Sequence, residues 1–115
     1  MSVEPRLQVR FHRTEAGNEP VREWLKTLPP EEKKIIGDDL KTAQYGWPLG
    51  MPLIRKLEPG LWEVRSRLQD RIARVIFTVE GDTMVLLHGL IKKSEKMPQQ
   101  DLQLARQRLQ SLGKN

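Results

Sequence analysis

The spacing of hydrophobic residues changes along the chain and divides it into extended and helical segments. Residues 6–11 alternate between apolar and polar side chains, which predicts a half-buried strand. Apolar residues then recur at helical spacing over 20–28 and over 30–46, and each of these segments opens at a proline, which favours a helix start. We expect these two adjacent helices to form a helical hairpin.

A period of two returns after a loop rich in proline and glycine at residues 47–52. Four more strands are predicted, at Leu53–Leu57, Leu61–Leu68, Arg71–Val79 and Thr83–Lys93. Their short connections predict an antiparallel meander. From Pro98 onward the apolar residues occupy one helical stripe, which predicts an amphipathic helix at the C-terminus.

Together these segments predict an α+β fold in the order β-α-α-β-β-β-β-α. We expect one domain over residues 1–115, because a chain of this length suits one modest core. The sheet is expected to be antiparallel, with an N-terminal helical hairpin and a C-terminal helix.

The two strands at the centre of the meander can be aligned by counting outward from the turn between them. A two-residue loop at residues 69–70 places Arg65 directly opposite Arg74. The same alignment gives three pairs for a core face: Trp62 with Phe77, Val64 with Val75, and Ser66 with Ala73. The other face, called the arginine face below, carries Arg65, Arg67 and Arg74 together with Glu63, Ile72 and Ile76.

Two arginines that face each other across a strand pair repel unless something anionic lies between them. The pairing of Arg65 with Arg74 therefore indicates a site for an anionic ligand. Glu63 offers an alternative, because its carboxylate can neutralise part of the repulsion in an ordinary surface ladder.

The alignment of the last strand stays open, because it depends on the length of the turn near residues 81–82. A two-residue turn places Gly89 beside Arg74 and brings Lys93 to the arginine face. A three-residue turn brings His88 and Lys92 there instead. In both cases one of the two lysines joins the arginines.

Composition narrows the classes of partner and site. The 20 Lys and Arg residues exceed the 15 Asp and Glu residues, and a net charge of +5 favours a polyanion such as nucleic acid, or an acidic protein. A basic protein without such a partner is the alternative. There is no cysteine and no cluster with metal-ligand spacing, so neither disulfides nor a metal or other cofactor is expected. The start of the chain has no leader or anchor pattern, which favours a cytoplasmic protein without membrane contact.

A basic sheet face suits RNA cleavage without metal, in which the ribose 2′ hydroxyl attacks the adjacent phosphate. Arg65 and Arg74 are candidates for clamping the scissile phosphate, because their planar donors match phosphate oxygens. Lys92 or Lys93 is a candidate general acid or base, because neighbouring arginines disfavour the ammonium form. Three further residues are candidates for RNA binding: Arg67, Arg71 and Lys96.

The chain has two histidines. His88 lies in an apolar strand, where a hydrogen-bonded core residue is the commoner role and a catalytic group is the alternative. His12 follows the first strand and is expected to be exposed to solvent.

Three segments carry a family resemblance: Leu61–Arg65, Arg71–Val75 and Leu86–Pro98. The most specific is the last, in which Leu-His-Gly, two apolar residues and Lys92-Lys93 are followed by a proline and a basic helix. In this order they resemble the phage-derived HigB-type (Gp49-like) branch of the RelE/ParE toxin superfamily, over nearly the whole chain.

The resemblance implies a RelE-like fold and a toxin of a type II toxin–antitoxin system that cleaves messenger RNA on the translating ribosome. It also implies a helix-turn-helix antitoxin as partner, with which the toxin can form a hetero-oligomer. Arg65, Arg74 and Lys92-Lys93 match the family's basic face. One feature departs from some relatives, which carry a Tyr or His near the C-terminus, whereas here residues 111–115 have neither and the only tyrosine is Tyr45.

Two other functions stay open, because a fold does not determine an activity. ParE-type relatives inhibit DNA gyrase by binding, and a plain nucleic-acid-binding module would hold phosphates without cutting. For the nuclease, we expect Arg65→Ala or Arg74→Ala to abolish toxicity with little loss of folding stability, because both side chains are expected on an open face. The antitoxin is expected to cover that face.

Overall fold

A computed structural model describes residues 4–113. Its elements are β1 (Gln8–Phe11), α1 (Pro20–Lys26), α2 (Pro30–Gly46), β2 (Ile54–Glu58), β3 (Leu61–Arg67), β4 (Ile72–Glu80), β5 (Thr83–Lys92) and α3 (Gln99–Leu112). The predicted α+β class and the predicted order of elements are confirmed. No helix among residues 4–113 is long and apolar enough to cross a membrane.

The five strands form one sheet in the order β1-β5-β4-β3-β2. Strands β2 to β5 form the predicted antiparallel meander, but β1 lies parallel to β5. The expectation of a purely antiparallel sheet is therefore wrong, and the sheet is mixed. The alternation in residues 6–11 predicts a strand but not its direction. The edge of β5 offers unpaired backbone groups, and β1 occupies it with the Gln8 amide donating to the Asp82 carbonyl at 2.7 Å.

The two N-terminal helices pack on the sheet separately, so the predicted helical hairpin is wrong. A strand precedes them, α1 packs on β5 and β1, and α2 packs on β3. Each helix directs its apolar stripe toward the sheet, where Val21 of α1 and Ile36, Leu40 and Ala43 of α2 are buried. The break at Pro29, where the backbone is extended, lets the two helices take separate positions.

Hydrophobic cores cover both faces of the sheet. On one face, Val64, Val75, Phe77 and Leu86 pack with residues of α1 and α2. On the other face, Leu61, Ile76, Leu87 and Leu90 pack with Ala105 and its neighbours on α3. Because the second face is the arginine face, α3 covers part of the surface that was expected to be open.

The alignment of β3 with β4 confirms the prediction, with Arg65 opposite Arg74 and Trp62 opposite Phe77. The turn from β4 to β5 has two residues, but a bulge follows it, because Phe77 pairs with Leu86 whereas Ile76 pairs with His88. The extra residue reverses which side chains of β5 reach each face downstream.

Past the bulge, Leu90 lies opposite Arg74 and Lys92 lies opposite Ile72. His88 and Lys92 therefore join the arginine face, which is the result predicted for a three-residue turn. Gly89 faces α1 instead, where an added Cβ would lie 2.3 Å from the ring of Trp24.

Candidate functional site

Three arginines meet on adjacent strands around one buried carboxylate. Arg55 of β2 pairs across the strands with Glu63 of β3, and Arg65 of β3 pairs with Arg74 of β4. The Glu63 side chain is fully buried, with Arg55 Nε 3.1 Å and Arg65 Nε 3.7 Å from its Oε1. We call Arg55, Arg65 and Arg74 with Glu63 the arginine cluster.

The side chain of Arg74 is completely buried, so the expectation of an open position is wrong for this residue. The cause is the connection between β5 and α3, which folds over the strand and accepts a hydrogen bond from Arg74 Nη2 at the backbone carbonyl of Ser94. Met97 in the same connection is buried in the core beneath α3. Arg65 is also mostly buried, with 11% of its side chain exposed.

Burial and charge act against each other in the cluster. Burial raises the pKa of Glu63 above its usual value, although the charges of Arg55, Arg74 and Arg65 oppose that rise. Burial lowers the pKa of Arg74, the Glu63 carboxylate raises it, and the neighbouring guanidinium groups of Arg55 and Arg65 lower it. The cluster therefore carries more positive charge than one carboxylate balances, in a place where charge is costly.

The guanidinium of Arg74 is not fully hydrogen bonded. Its Nε and Nη1 are buried and have no hydrogen-bond partner among residues 4–113. A buried donor without an acceptor costs free energy, and such groups are uncommon in folded proteins. Both carboxylate oxygens of Glu63 and the Nε of Arg65 are likewise buried without a hydrogen-bond partner among residues 4–113, so the cluster as a whole is incompletely hydrogen bonded.

The connection between β5 and α3 also supplies a carboxylate. Arg65 Nη2 donates to Glu95 Oε2 at 2.5 Å, and Arg55 Nη2 donates to the Glu95 backbone carbonyl at 3.4 Å. The Glu95 side chain is 72% exposed, so this acceptor lies at the surface above the cluster.

Other predicted RNA-binding residues lie beside the β3–β4 turn. Arg67, Arg71 and Lys93 line a shallow cleft of about 260 Å³. Arg67 also lines a second cleft of about 230 Å³ together with Arg65. Arg71 is partly neutralised, because its Nη2 contacts the carboxylate of Glu32 on α2 at 2.5 Å. The structure thus groups Arg65, Arg67, Arg71 and Lys93 at one end of the sheet.

The remaining predicted lysines are exposed. Lys92 ends β5 on the arginine face, opposite Ile72. Lys96 lies in the connection that covers Arg74. Neither is buried among the side chains of the arginine cluster.

His88 lies between the sheet and α3 with both ring nitrogens engaged. Its Nε2 is 2.6 Å from Asp101 Oδ1, and its Nδ1 is 3.4 Å from Arg108 Nη1. These contacts favour the hydrogen-bonded core role over the catalytic one.

His12 is buried, with 5% of its surface exposed, so the expectation that it faces solvent is wrong. Its amide donates to the Leu86 carbonyl at 2.9 Å, which extends the β1–β5 pairing by one residue and keeps His12 against the sheet. Burial lowers the pKa of His12, and the positive charges of Arg108 and Arg10 lower it further.

The sequence did not indicate Arg55 or Glu95 as parts of the site. Counting outward from the turn at residues 59–60 would not have placed Arg55 beside Glu63 reliably, because the pairing of β2 with β3 shifts between Lys56 and Glu58. Glu95 lies in an irregular connection, where periodicity carries no information.

Residues 23–110 match the family model described as phage derived protein Gp49-like (DUF891). The matched range runs from α1 into α3 and contains the arginine cluster and its covering connection. No curated protein matches the sequence at a significant level.

Proposed function

Since the chain belongs to the phage-derived Gp49-like family, which is related to RelE-type toxins of toxin–antitoxin systems, we propose that it is a single-domain toxin that cleaves messenger RNA. The observation that carries the proposal is the arginine cluster, in which Arg74 keeps two donors unpartnered among residues 4–113. Clefts lined by Arg65, Arg67 and Lys93 adjoin it.

In the proposed reaction, the ribose 2′ oxygen forms a bond to the adjacent phosphorus and the bond from phosphorus to the 5′ oxygen breaks. The products are a 2′,3′-cyclic phosphate and a 5′ hydroxyl. Arg65 and Arg74 stabilise the negative charge that builds up on the phosphoryl oxygens, because guanidinium donors pair with two oxygens at once. Arg67 holds a flanking phosphate.

Proton transfer is assigned to the pair Lys92 and Lys93. Lys92 belongs to the arginine face by its pairing with Ile72, and Lys93 lines the cleft that contains Arg67. Both residues are exposed, which leaves their ammonium groups open to a bound nucleotide. One lysine of the pair, in its neutral form, accepts the proton of the 2′ hydroxyl as the new bond to phosphorus forms, and the ammonium group of the other donates a proton to the leaving 5′ oxygen.

The translating ribosome in the cytoplasm is the proposed place of action, and a helix-turn-helix antitoxin is the proposed partner. The family relationship supports an antitoxin, and the basic cleft residues supply a surface that acidic groups can mask. Binding there would occlude Arg67 and Lys93 directly.

The chemistry of the RNA ends tests this proposal. In a translating extract, the wild-type chain should generate fragments with 2′,3′-cyclic phosphate and 5′ hydroxyl ends, and Arg65→Gln should lower the cleavage rate at least about 100-fold. Arg10→Gln is the matched control, because Arg10 forms an exposed ion pair with Glu80, away from the cluster. Equal cleavage by Arg65→Gln and Arg10→Gln would contradict the assigned role.

One observation favours a second candidate, a non-enzymatic inhibitor of DNA gyrase. Arg74 is wholly buried and is already bonded to Ser94, which suits a structural role. This candidate predicts that purified gyrase loses its supercoiling activity while transcripts stay intact. The nuclease predicts cut transcripts and unchanged supercoiling activity.

A further inference from the structure

We infer that Arg55 is a third phosphate-binding group of the cluster, and that Glu95 occupies the position of the RNA phosphate until substrate displaces it. This inference rests on the proposed function, which gave no role to Arg55 or Glu95. The connection that Glu95 belongs to, residues 93–97, is called the cover below.

The cover presents oxygen acceptors to all three arginines. The Glu95 carboxylate accepts from Arg65 at 2.5 Å, the Glu95 carbonyl accepts from Arg55 at 3.4 Å, and the Ser94 carbonyl accepts from Arg74. A phosphodiester has two unesterified oxygens that accept from the same kinds of donor. The cover therefore satisfies the donors that a bound phosphate would satisfy.

The cover also blocks the cluster. Arg74 is fully buried and its Nη2 donates to the Ser94 carbonyl, so a phosphate oxygen can take the place of that carbonyl only when Ser94 moves away. For Arg74 to act on RNA, the cover has to move. Of the side chains of the cover, only that of Glu95 makes an ion pair among residues 4–113.

The replacement of the Glu95 carboxylate by an RNA phosphate is balanced in charge. Three guanidinium groups surround Glu63, and Glu95 adds a second carboxylate to them. A phosphodiester carries one negative charge, as the Glu95 carboxylate does, so replacing one by the other leaves the net charge around the buried Glu63 unchanged. Glu95 is 72% exposed and can swing into solvent at small cost.

The neighbours of the cover limit the movement to a short stretch. On one side it continues β5, which ends at Lys92. On the other side Met97 is buried in the core beneath α3, which begins at Gln99. Opening therefore involves residues 93–96, with β5, Met97 and α3 kept in place.

The test measures the binding of a fluorescent single-stranded RNA with 2′-O-methyl riboses, which cannot be cleaved by 2′ oxygen attack. Glu95→Gln removes the competing charge and should raise the affinity roughly two- to fivefold. Arg55→Gln removes a phosphate donor and should lower it at least about fivefold. The controls come from one exposed ion pair remote from the cluster, as Glu80→Gln and Arg10→Gln.

Hydrogen exchange provides a second measurement that needs no RNA. In the full-length protein, Glu95→Gln should speed exchange of the amides of residues 94–96 by roughly two- to fivefold, with exchange in β4 unchanged. Unchanged exchange at residues 94–96 would overturn the role of Glu95 as the contact that closes the cover.

The outcomes separate this inference from the proposed function. If Glu95→Gln binds RNA more tightly but no protein cuts RNA, the displaced phosphate site stands and the nuclease proposal fails. If Glu95→Gln and Arg55→Gln both bind like the wild type while Arg65→Gln binds weakly, the inference is overturned and the proposed function survives. If neither the wild type nor Glu95→Gln binds the RNA, the inference is overturned, and cleavage in the translating extract decides the proposed function separately.

Discussion

Arg65 and Arg74 face each other across two strands, but because they differ in burial they contribute differently to the free energy of unfolding. Arg74 is fully buried and bonded to the Ser94 carbonyl. By contrast, Arg65 keeps 11% of its side chain exposed and contacts both the buried Glu63 and the exposed Glu95. Removing Arg74 empties a fully buried space and takes one positive charge away from the buried Glu63, whereas an ion pair with an exposed partner such as Glu95 contributes little.

Arg74→Ala should therefore lower the free energy of unfolding by about 3 kcal/mol or more, and Arg65→Ala by about 1 kcal/mol. Urea denaturation measures both. This replaces the expectation from the sequence that both variants keep their stability. Equal and small losses for the two variants would show that Arg74 is not held as the structure describes.

His12 gives the protein a pH-dependent stability. The folded state lowers its pKa below the usual value near 6.5, chiefly through burial, so folding favours the neutral imidazole. The stabilisation is present above pH 6.5 and is lost as the pH falls through the lowered pKa of the folded state.

Between pH 7 and pH 5, the wild type should lose stability relative to His12→Gln by at most about 1.4 kcal/mol per pH unit. Denaturation curves at several pH values give the difference between the two proteins, which isolates His12 from other titrating groups. Parallel pH profiles would mean that His12 titrates alike in the folded and unfolded chains.

The residues of the site were accessible to sequence reasoning only in part. The pairing of Arg65 with Arg74 followed from counting across a two-residue turn, and the structure has the same pairing. The burial of Arg74 could not be predicted by counting along the strands, because it depends on residues 94–97. This segment is irregular, so no periodicity in the sequence indicates its path. The prediction that His12 is exposed was wrong for a similar reason. His12 directly follows β1, and the pairing of β1 with β5 was not predicted.

At the scale of elements, the packing of α1 on β5 depends on a missing side chain. Gly89 lies under Trp24, and an added Cβ would come within 2.3 Å of the indole ring. Such an overlap forces the ring or the whole helix to move.

Gly89→Ala should therefore destabilise the protein by about 1–3 kcal/mol. Gly37→Ala is the control, because its added Cβ meets no atom within 4 Å and alanine favours helix α2 by up to about 1 kcal/mol. Thermal unfolding of the two variants should shift in opposite directions. A Gly89→Ala variant as stable as the wild type would contradict the close packing of Trp24.

The predicted elements were largely correct because their periodicities are local properties of the sequence. The helical hairpin was wrong because the partner of a helix is decided by the sheet it covers, and α1 and α2 cover different strands. The sequence could not predict which face of the sheet Lys92 reaches. That face depends on the bulge between Leu86 and His88, and the run of apolar residues in β5 gives no sign of a bulge.

At the scale of the whole molecule, the mixed sheet carries helices on both faces and leaves one end of the arginine face accessible. The net charge of +5 agrees with an anionic partner, and the clefts beside the β3–β4 turn show where basic side chains gather. The family match covers this whole region. Sequence reasoning could predict the basic face, because strand pairing aligned it, but not the cover that lies over Arg74.

We propose that this chain arrests growth by cutting translated messenger RNA. The most direct test is brief induction in cells beside the Arg65→Gln variant, with new RNA 5′ ends mapped across translated and untranslated regions. We expect new ends that are confined to coding regions, fall in codon register and are absent from the variant. Growth arrest by the wild-type chain without new ends would contradict it.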